Sequence, residues 1–331
     1  MEKCNVRFIF RRLLAMIPTL FVISIVSFLL IQLPPGDFLT SYVARLMAQG
    51  DQIRTEQVEA LRGRYGLGKP IYVQYIKWMG GVLQGDLGYS LTWSKPVTTL
   101  ILERLPWSVS ISLLSFLLVW LLGLPIAVFS ATHKYSIGDY ILTLIAFVGL
   151  ATPGFLLALV AMWITFSVSG QAMVGLFSRE FLSAPWSFAR FLDLLKHMWI
   201  PALILGPGAM GYLIRTMRAN LLDELEKPYV LVARSKGLSE RRLLFKYPFR
   251  LAINPSISTI GWTLPYLLSG ELLVSIVLGL PTMAPLFVDA LLSQDMFLAG
   301  SIVMILSVLT VIGTLISDIL LAWVDPRIRA M

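Results

Sequence analysis

The chain has 331 residues, of which 57% are apolar and only 14% charged. Soluble domains carry roughly 25% charged residues, and here the shortfall lies in long uncharged runs, so the composition excludes a soluble multidomain enzyme and points to a polytopic membrane protein. The formal net charge of +8 comes without a basic stripe carrying interleaved aromatics, which argues against nucleic-acid binding and suits basic cytoplasmic loops.

Residues 1–12 carry Lys3, Arg7, Arg11 and Arg12 ahead of the apolar run Leu13–Leu33. The run is too long for a signal-peptide core and ends in Pro34-Pro35-Gly36-Asp37, which is no small-x-small cleavage site. It reads as an uncleaved first span. Pro34–Arg104 is a polar segment with a helix expected over Glu56–Tyr65, ended by Gly66. Its later aromatics and glycines, Ile71–Leu91, suggest a folded external subdomain. Gly63 to Lys69 matches GxxxxGK, but a phosphate loop needs Ser or Thr next, and Pro70 follows. No nucleotide site is expected in this chain.

The second span is expected over Trp107–Ser130 and the third over Tyr140–Val168, joined by the turn Ala131–Asp139. Thr152-Pro153-Gly154 interrupts the third. Proline and glycine are tolerated inside spans where neighbours or water satisfy the backbone, so Pro153 is either a packing kink or a hinge beside a pathway. A second polar loop, Ser169–Met198, leads to a glycine-rich fourth span, Trp199–Ile214, whose Gly206, Gly208 and Gly211 permit close helix packing. The fifth span reads as Ile257–Leu278, followed by a loop, Pro281–Asp295, without Lys or Arg. The sixth reads as Leu298–Trp323. With both termini inside, the cytoplasmic segments hold sixteen Lys and Arg against three in the short external loops. The long segment 34–104 holds the other eight and falls outside the positive-inside count because of its length. Six spans satisfy this bias.

Leu221–Pro255 is a charged island in this apolar chain. Tyr229, Val230, Val232, Ala233 and Leu238 are apolar enough to pack on a partner. Gly237 tolerates left-handed angles and would turn the chain between two short helices. Leu243, Leu244 and Tyr247 form a second apolar stripe, and Pro248 and Pro255 stop or kink helices. The pattern is an amphipathic helix-turn-helix, which composition alone leaves open between a partner surface and a helix on the anionic leaflet. Glu271 and Asp318 are the carboxylates expected within spans, where buried ionisable groups default to functional candidates. One cysteine, Cys4, allows no intrachain disulfide, and His133 and His197 lack metal-site spacing.

Ala233-Arg234-Ser235-Lys236-Gly237-Leu238-Ser239-Glu240, followed by Asn254-Pro255, resembles the "EAA" loop of ABC importer permeases. The form is most similar to the B-type subunit of the oligopeptide/dipeptide permease family. The resemblance runs nearly the whole chain, through Arg11-Arg12, Pro35-Gly36-Asp37, Gly85-Asp86-Leu87-Gly88-Tyr89-Ser90, Arg104-Leu105-Pro106 and Asp325-Pro326-Arg327-Ile328-Arg329. It departs at Leu231-Val232-Ala233, where the generic pattern has Glu-Ala-Ala. It departs again at Ser275, where many relatives carry Glu, with Glu271 one turn earlier, and at Pro281-Thr282-Met283-Ala284 in place of PGxG.

The resemblance implies an all-α fold of six transmembrane helices of the type I ABC importer kind, with an external subdomain between the first two. It implies a second, C-type permease, two cytoplasmic ATPases that bind ATP and Mg, and an external substrate-binding protein. No cofactor is implied in this chain, and no catalysis. Tyr229, Ala233, Arg234, Lys236, Gly237 and Leu238 would couple to the ATPase. Glu271, Pro153 and Ser275 are candidates for the translocation pathway. The cargo implied is peptide, with oligosaccharide or nickel on the same scaffold as the alternative. Leu33–Asp51 and Leu221–Tyr229 look like the oligosaccharide-associated branch. An ion-coupled secondary transporter would show inverted repeats, and none is visible.

Overall fold

The computed structural model describes residues 2–32, 63, 69–90, 92–170 and 174–324. The expected helix Glu56–Tyr65, the segment Leu33–Asp51, the Pro35-Gly36-Asp37 motif and the terminal Asp325–Arg329 motif lie outside or almost wholly outside them. The described chain is helical apart from one two-stranded hairpin, and it divides into two compact units.

The first unit comprises residues 1–13, 107–284 and 310–331. Helix α1, Glu2–Gln32, begins here. The short helix α2, Ile71–Leu83, and the strands β1, Tyr89–Ser90, and β2, Lys95–Pro96, belong to the second unit. Helix α3, Val97–Thr132, is nearly three turns longer at its start than the expected second span, taking Arg104-Leu105-Pro106 into the helix. Helix α4, Ile137–Ala151, starts at an N-cap where Ser136 Oγ accepts from Asp139 N at 3.1 Å. It ends at Thr152-Pro153, since Pro153 offers no N–H to the preceding turn. Helix α5, Gly154–Ser169, then leaves at 106° and stops at Gly170 with φ +70°. The interruption is thus a full break and not a gentle kink.

Helix α6, Phe188–Leu225, has 38 residues and contains Pro201 and Pro207. It absorbs the last third of the expected polar loop at one end and the start of the island at the other. At about 1.5 Å per residue it is roughly 57 Å long, well beyond the roughly 30 Å of a bilayer core. Helix α4 packs mainly on α6. Glycines on both sides allow the approach: a Cβ at Gly211 would meet the Ala146 carbonyl oxygen at 2.6 Å, and one at Gly149 would meet Pro207 Cβ at 2.9 Å.

The island continues as α7, Pro228–Ser235, α8, Glu240–Lys246, α9, Pro248–Ala252, and α10, Asn254–Ser258. Pro248 and Pro255 fall in the first turns of α9 and α10. They open helices there, because the first turn has no use for their missing N–H. Helix α11, Ile260–Val277, occupies the expected fifth span. The loop expected over Pro281–Asp295 contains a further helix, α12, Met283–Leu292, short and apolar. Helix α13, Met296–Val324, covers the expected sixth span.

Buried residues of α3, α5, α6 and α11 form the main apolar core of the first unit, including Ile111, Ala158, Leu205 and Leu267. A second cluster joins Ala127 and Ala131 to Met217, Leu221 and Ala252, fastening the foot of α6 to α9. Four described helices, α1, α3, α6 and α13, are long and apolar enough to cross a membrane, or five spans if the bent pair α4–α5 is one.

The second unit comprises residues 14–106 and 285–309. Phe28, Tyr75 and Trp78 pack their rings together, and Ser24 Oγ lies 2.7 Å from the Tyr75 hydroxyl. The hairpin is tied by the buried Asp295 carboxylate, which accepts from Ser90 Oγ at 2.5 Å and Thr92 N at 3.3 Å. Its other oxygen accepts from Leu298 N at 3.3 Å. Gly88, at φ +101°, leaves room for Phe297, whose ring would lie 3.0 Å from a Cβ there.

Candidate functional site

Two places in the first unit concentrate the candidate residues. The first is the helix-turn-helix α7–α8. Pro228 opens α7, and Gly237 closes the turn at φ +79°, donating its N–H to the Arg234 carbonyl at 3.0 Å. The space around a Gly237 side chain is empty, so the backbone angle and not crowding selects glycine here.

Arg234 spans the turn. Its Nε donates to Glu240 Oε1 at 2.6 Å and Nη2 to Oε2 at 3.0 Å. That fork holds the Glu240 carboxyl below its ordinary range and the Arg234 guanidinium above its own. The Tyr229 hydroxyl donates to Glu224 Oε2 at 2.6 Å, and burial together with that carboxylate pushes the phenol well up.

The expected partner face divides in two. Val230, Ala233 and Leu243 are buried in a small internal core, with Tyr229, Leu238 and Tyr247 packed around it. Ala233 therefore lets α7 close onto α8 and does not face outward. Leu231 and Val232 are the exposed apolar residues of α7, at 59% and 53%, and Lys236 is exposed beside them. Period 3.6 puts 230 and 233 on one stripe and 231 and 232 off it, a signal present in the sequence.

The island is linked to the transmembrane helices through α6. Its Arg218 reaches Asp139 of α4 with Nε to Oδ1 at 3.0 Å and Nη2 to Oδ2 at 2.7 Å. Asp139 also accepts from Tyr135 N at 3.0 Å and Thr143 Oγ1 at 3.2 Å, so each oxygen accepts two hydrogen bonds. The sequence treats Asp139 only as the end of a turn. Its place at N3 of a helix with a serine cap marks the cap, but the pairing with a residue 79 positions away follows from the fold.

The second place is the break between α4 and α5. Pro153 lines a cavity of about 300 Å³ with Gly149, Thr152, Gly208, Tyr266 and Gly270. Glu271 follows Gly270 on α11, but its side chain lies outside the described residues. Ser275 is fully buried, accepts from Thr282 Oγ1 at 2.9 Å, and its carbonyl accepts from Leu280 N at 2.8 Å. Its hydroxyl thus braces the turn after α11, in which Gly279 has φ +60°. Pro153 lines the cavity, and Ser275 is not among its described lining residues. Asp318 pairs with Arg12 at 3.1 Å.

Residues 123–330 match the model of the binding-protein-dependent transport system inner membrane component, and residues 5–112 match the N-terminal model of the same systems. The oligopeptide transport system permease protein AppB of Bacillus subtilis is 37% identical over 97% of this chain and 99% of its own. OppB of Haemophilus influenzae is 30% identical over 98% and 99%. A chain of the inward-facing MetNI methionine ABC transporter superposes with a TM-score of 0.53 at 15% identity, covering 68% of this chain and 96% of that one, a likeness of fold alone. Matched along nearly its whole length, the chain belongs to the family of binding-protein-dependent transport system inner membrane components, as a multi-pass transport subunit and not an enzyme.

Proposed function

We infer that the chain is one of two membrane halves of an ATP-driven importer of oligopeptides, working by alternating access. The observation that carries this reading is the exposed helix-turn-helix α7–α8 at the foot of a helix far longer than a bilayer, in a chain similar end to end to oligopeptide permeases. In this reading the chain has six spans, with α4–α5 as a broken third and α11 as the fifth, and both termini and the island lie on the cytoplasmic side, as the sixteen-to-three bias in Lys and Arg supports. The segment Pro34–Arg104 and the loop before α6 then face the external binding protein.

In this account an ATPase docks on Leu231, Val232, Arg234, Lys236 and the turn at Gly237, while Tyr229, Ala233 and Leu238 hold α7 in shape. Closure of the ATPase pair moves the island. The core at Met217, Leu221 and Ala252 and the Arg218–Asp139 fork carry that movement from α6 to α4. The break at Pro153 lets the far side of the bundle respond. The pathway runs past Pro153, with Glu271 and Ser275 on the adjoining helix. A second, C-type permease completes the pore, and ATP and Mg belong to the ATPases.

Reconstitution tests this. The chain, co-expressed with a C-type permease, two ATPases and a binding protein encoded with it, is expected to assemble and to import a radiolabelled oligopeptide only with ATP. Assembly without an ATPase, or ATP-independent uptake driven by an ion gradient, would contradict it. Glu271→Gln is expected to change peptide uptake and its pH profile without loss of assembly; unchanged uptake across pH would remove Glu271 from the pathway.

A further inference from the structure

The end of α4 is short of hydrogen-bond donors. Pro153 has no N–H for the Gly149 carbonyl, and the chain has turned away before Gly154 can serve Leu150. Val148 is satisfied twice, by Thr152 N at 3.0 Å and Thr152 Oγ1 at 2.6 Å. Among the described residues, the carbonyls of Gly149, Leu150 and Ala151 receive no donor. At the other side of the break the Gly154 N–H, at the first position of α5, donates to no acceptor among the described residues.

All four residues line the same cavity of about 300 Å³. Its described lining side chains are apolar or hydroxyl-bearing and none is charged. Unpaired backbone groups at membrane depth persist only where they are buried in protein or line a watered cavity. The volume is about ten waters' share of liquid. The polar ends of α4 and α5 add a partial negative and a partial positive charge at this one place.

We propose that this break is a binding site for the main chain of a peptide in transit. The peptide's amide N–H groups donate to the carbonyls of Gly149, Leu150 and Ala151, and its carbonyl accepts from Gly154 N–H. The proposal rests on the peptide-import reading above and gives it a mechanism for tolerance: every peptide presents the same main-chain groups whatever its side chains. A charged pocket would select among side chains, and this one holds none among its described residues. Gly208 and Gly270 keep the walls back. A Cβ at Gly208 would lie 3.1 Å from the Tyr266 hydroxyl, whereas one at Gly270 meets nothing within 4 Å.

The open space at Gly270 allows a direct test in the assembled transporter. Cys4 is the single native cysteine, so a Cys4→Ser background carries Gly270→Cys as its one thiol. A small methanethiosulfonate reagent is expected to label it, and trialanine is expected to slow the labelling at least about 5-fold. A trialanine whose amides are N-methylated keeps both charged ends but lacks amide donors, and it is expected not to protect. In a second measurement, Gly270→Leu fills the cavity and is expected to lower trialanine uptake at least about 10-fold, with the ATPases still bound. Equal protection by the two peptides overturns the proposal. So does a position 270 that is never labelled, or a Gly270→Leu variant with full uptake. If the wild-type transporter imports trialanine and no protection is seen, this site alone is refuted; if it imports no peptide at all, the peptide-import reading falls first.

Discussion

Two arginine–carboxylate forks among the described residues differ in their surroundings. Arg234–Glu240 crosses the turn of the island with both side chains half exposed or more, at 49% and 67%. Arg218–Asp139 joins two long helices, with Asp139 at 3%. The contacts are alike: two N–H to O bonds, the shorter 2.6 and 2.7 Å. Water competes for the first pair and screens it, so such pairs add little to stability. The second pair is different, because removing one partner strands a charge away from water. The comparison separates a surface fork, which in the proposed account shapes the docking face, from a buried one, which in that account carries force between α6 and α4.

The largest effect expected from breaking that contrast is Asp139→Ala. It strands Arg218 and frees Tyr135 and Thr143, and it is expected to cost about 2–4 kcal/mol by denaturation of the purified complex. Uptake per ATP hydrolysed should fall, and the exchange Asp139→Arg with Arg218→Asp should restore part of it. No loss in Asp139→Ala would mean that α4 and α6 need no such link.

Next is Gly237→Val. A β-branched side chain at φ +79° costs on the order of 1–3 kcal/mol of local strain, with no clash to add to it. ATP hydrolysis should become uncoupled from uptake while membrane insertion persists. Unchanged uptake in vesicles would remove the turn from the coupling route.

The smallest effect is expected at the exposed fork. Arg234 lowers the Glu240 carboxyl, so the folded state favours the ionised form. The fork's contribution is therefore present above the unfolded glutamate value of about 4.3 and is lost as pH falls through the lower folded one. At neutral pH, Glu240→Gln should lower the melting temperature only slightly. A clear drop would show that the two forks are equivalent after all.

The contrast also marks what the sequence made legible. The island stood out because charge is rare in this chain, and Gly237 announced its own turn. The apolar runs located the long helices because burial in lipid needs uninterrupted apolar length. Three things depended on tertiary structure. Period 3.6 separates the two stripes of α7, but which of them faces inward is decided when α8 folds back over Val230 and Ala233. Helix α12 was read as loop because a ten-residue apolar helix after Gly-Leu-Pro carries too little periodic signal. The break at Pro153 was visible as a dipeptide, but its angle and the cavity behind it are set by Pro207, Gly208 and Tyr266 on other helices.

The central claim is that an ATPase seats on the outward face of α7. Site-directed cross-linking in the Cys4→Ser background tests it most directly, with single cysteines at Val232 and Val230 and a short bifunctional reagent in the assembled transporter. The account predicts a cross-link to the co-expressed ATPase from Val232→Cys, strengthened or weakened as ATP is added, and none from Val230→Cys, which is buried. No ATPase cross-link from Val232→Cys in an assembled, transporting complex would contradict it.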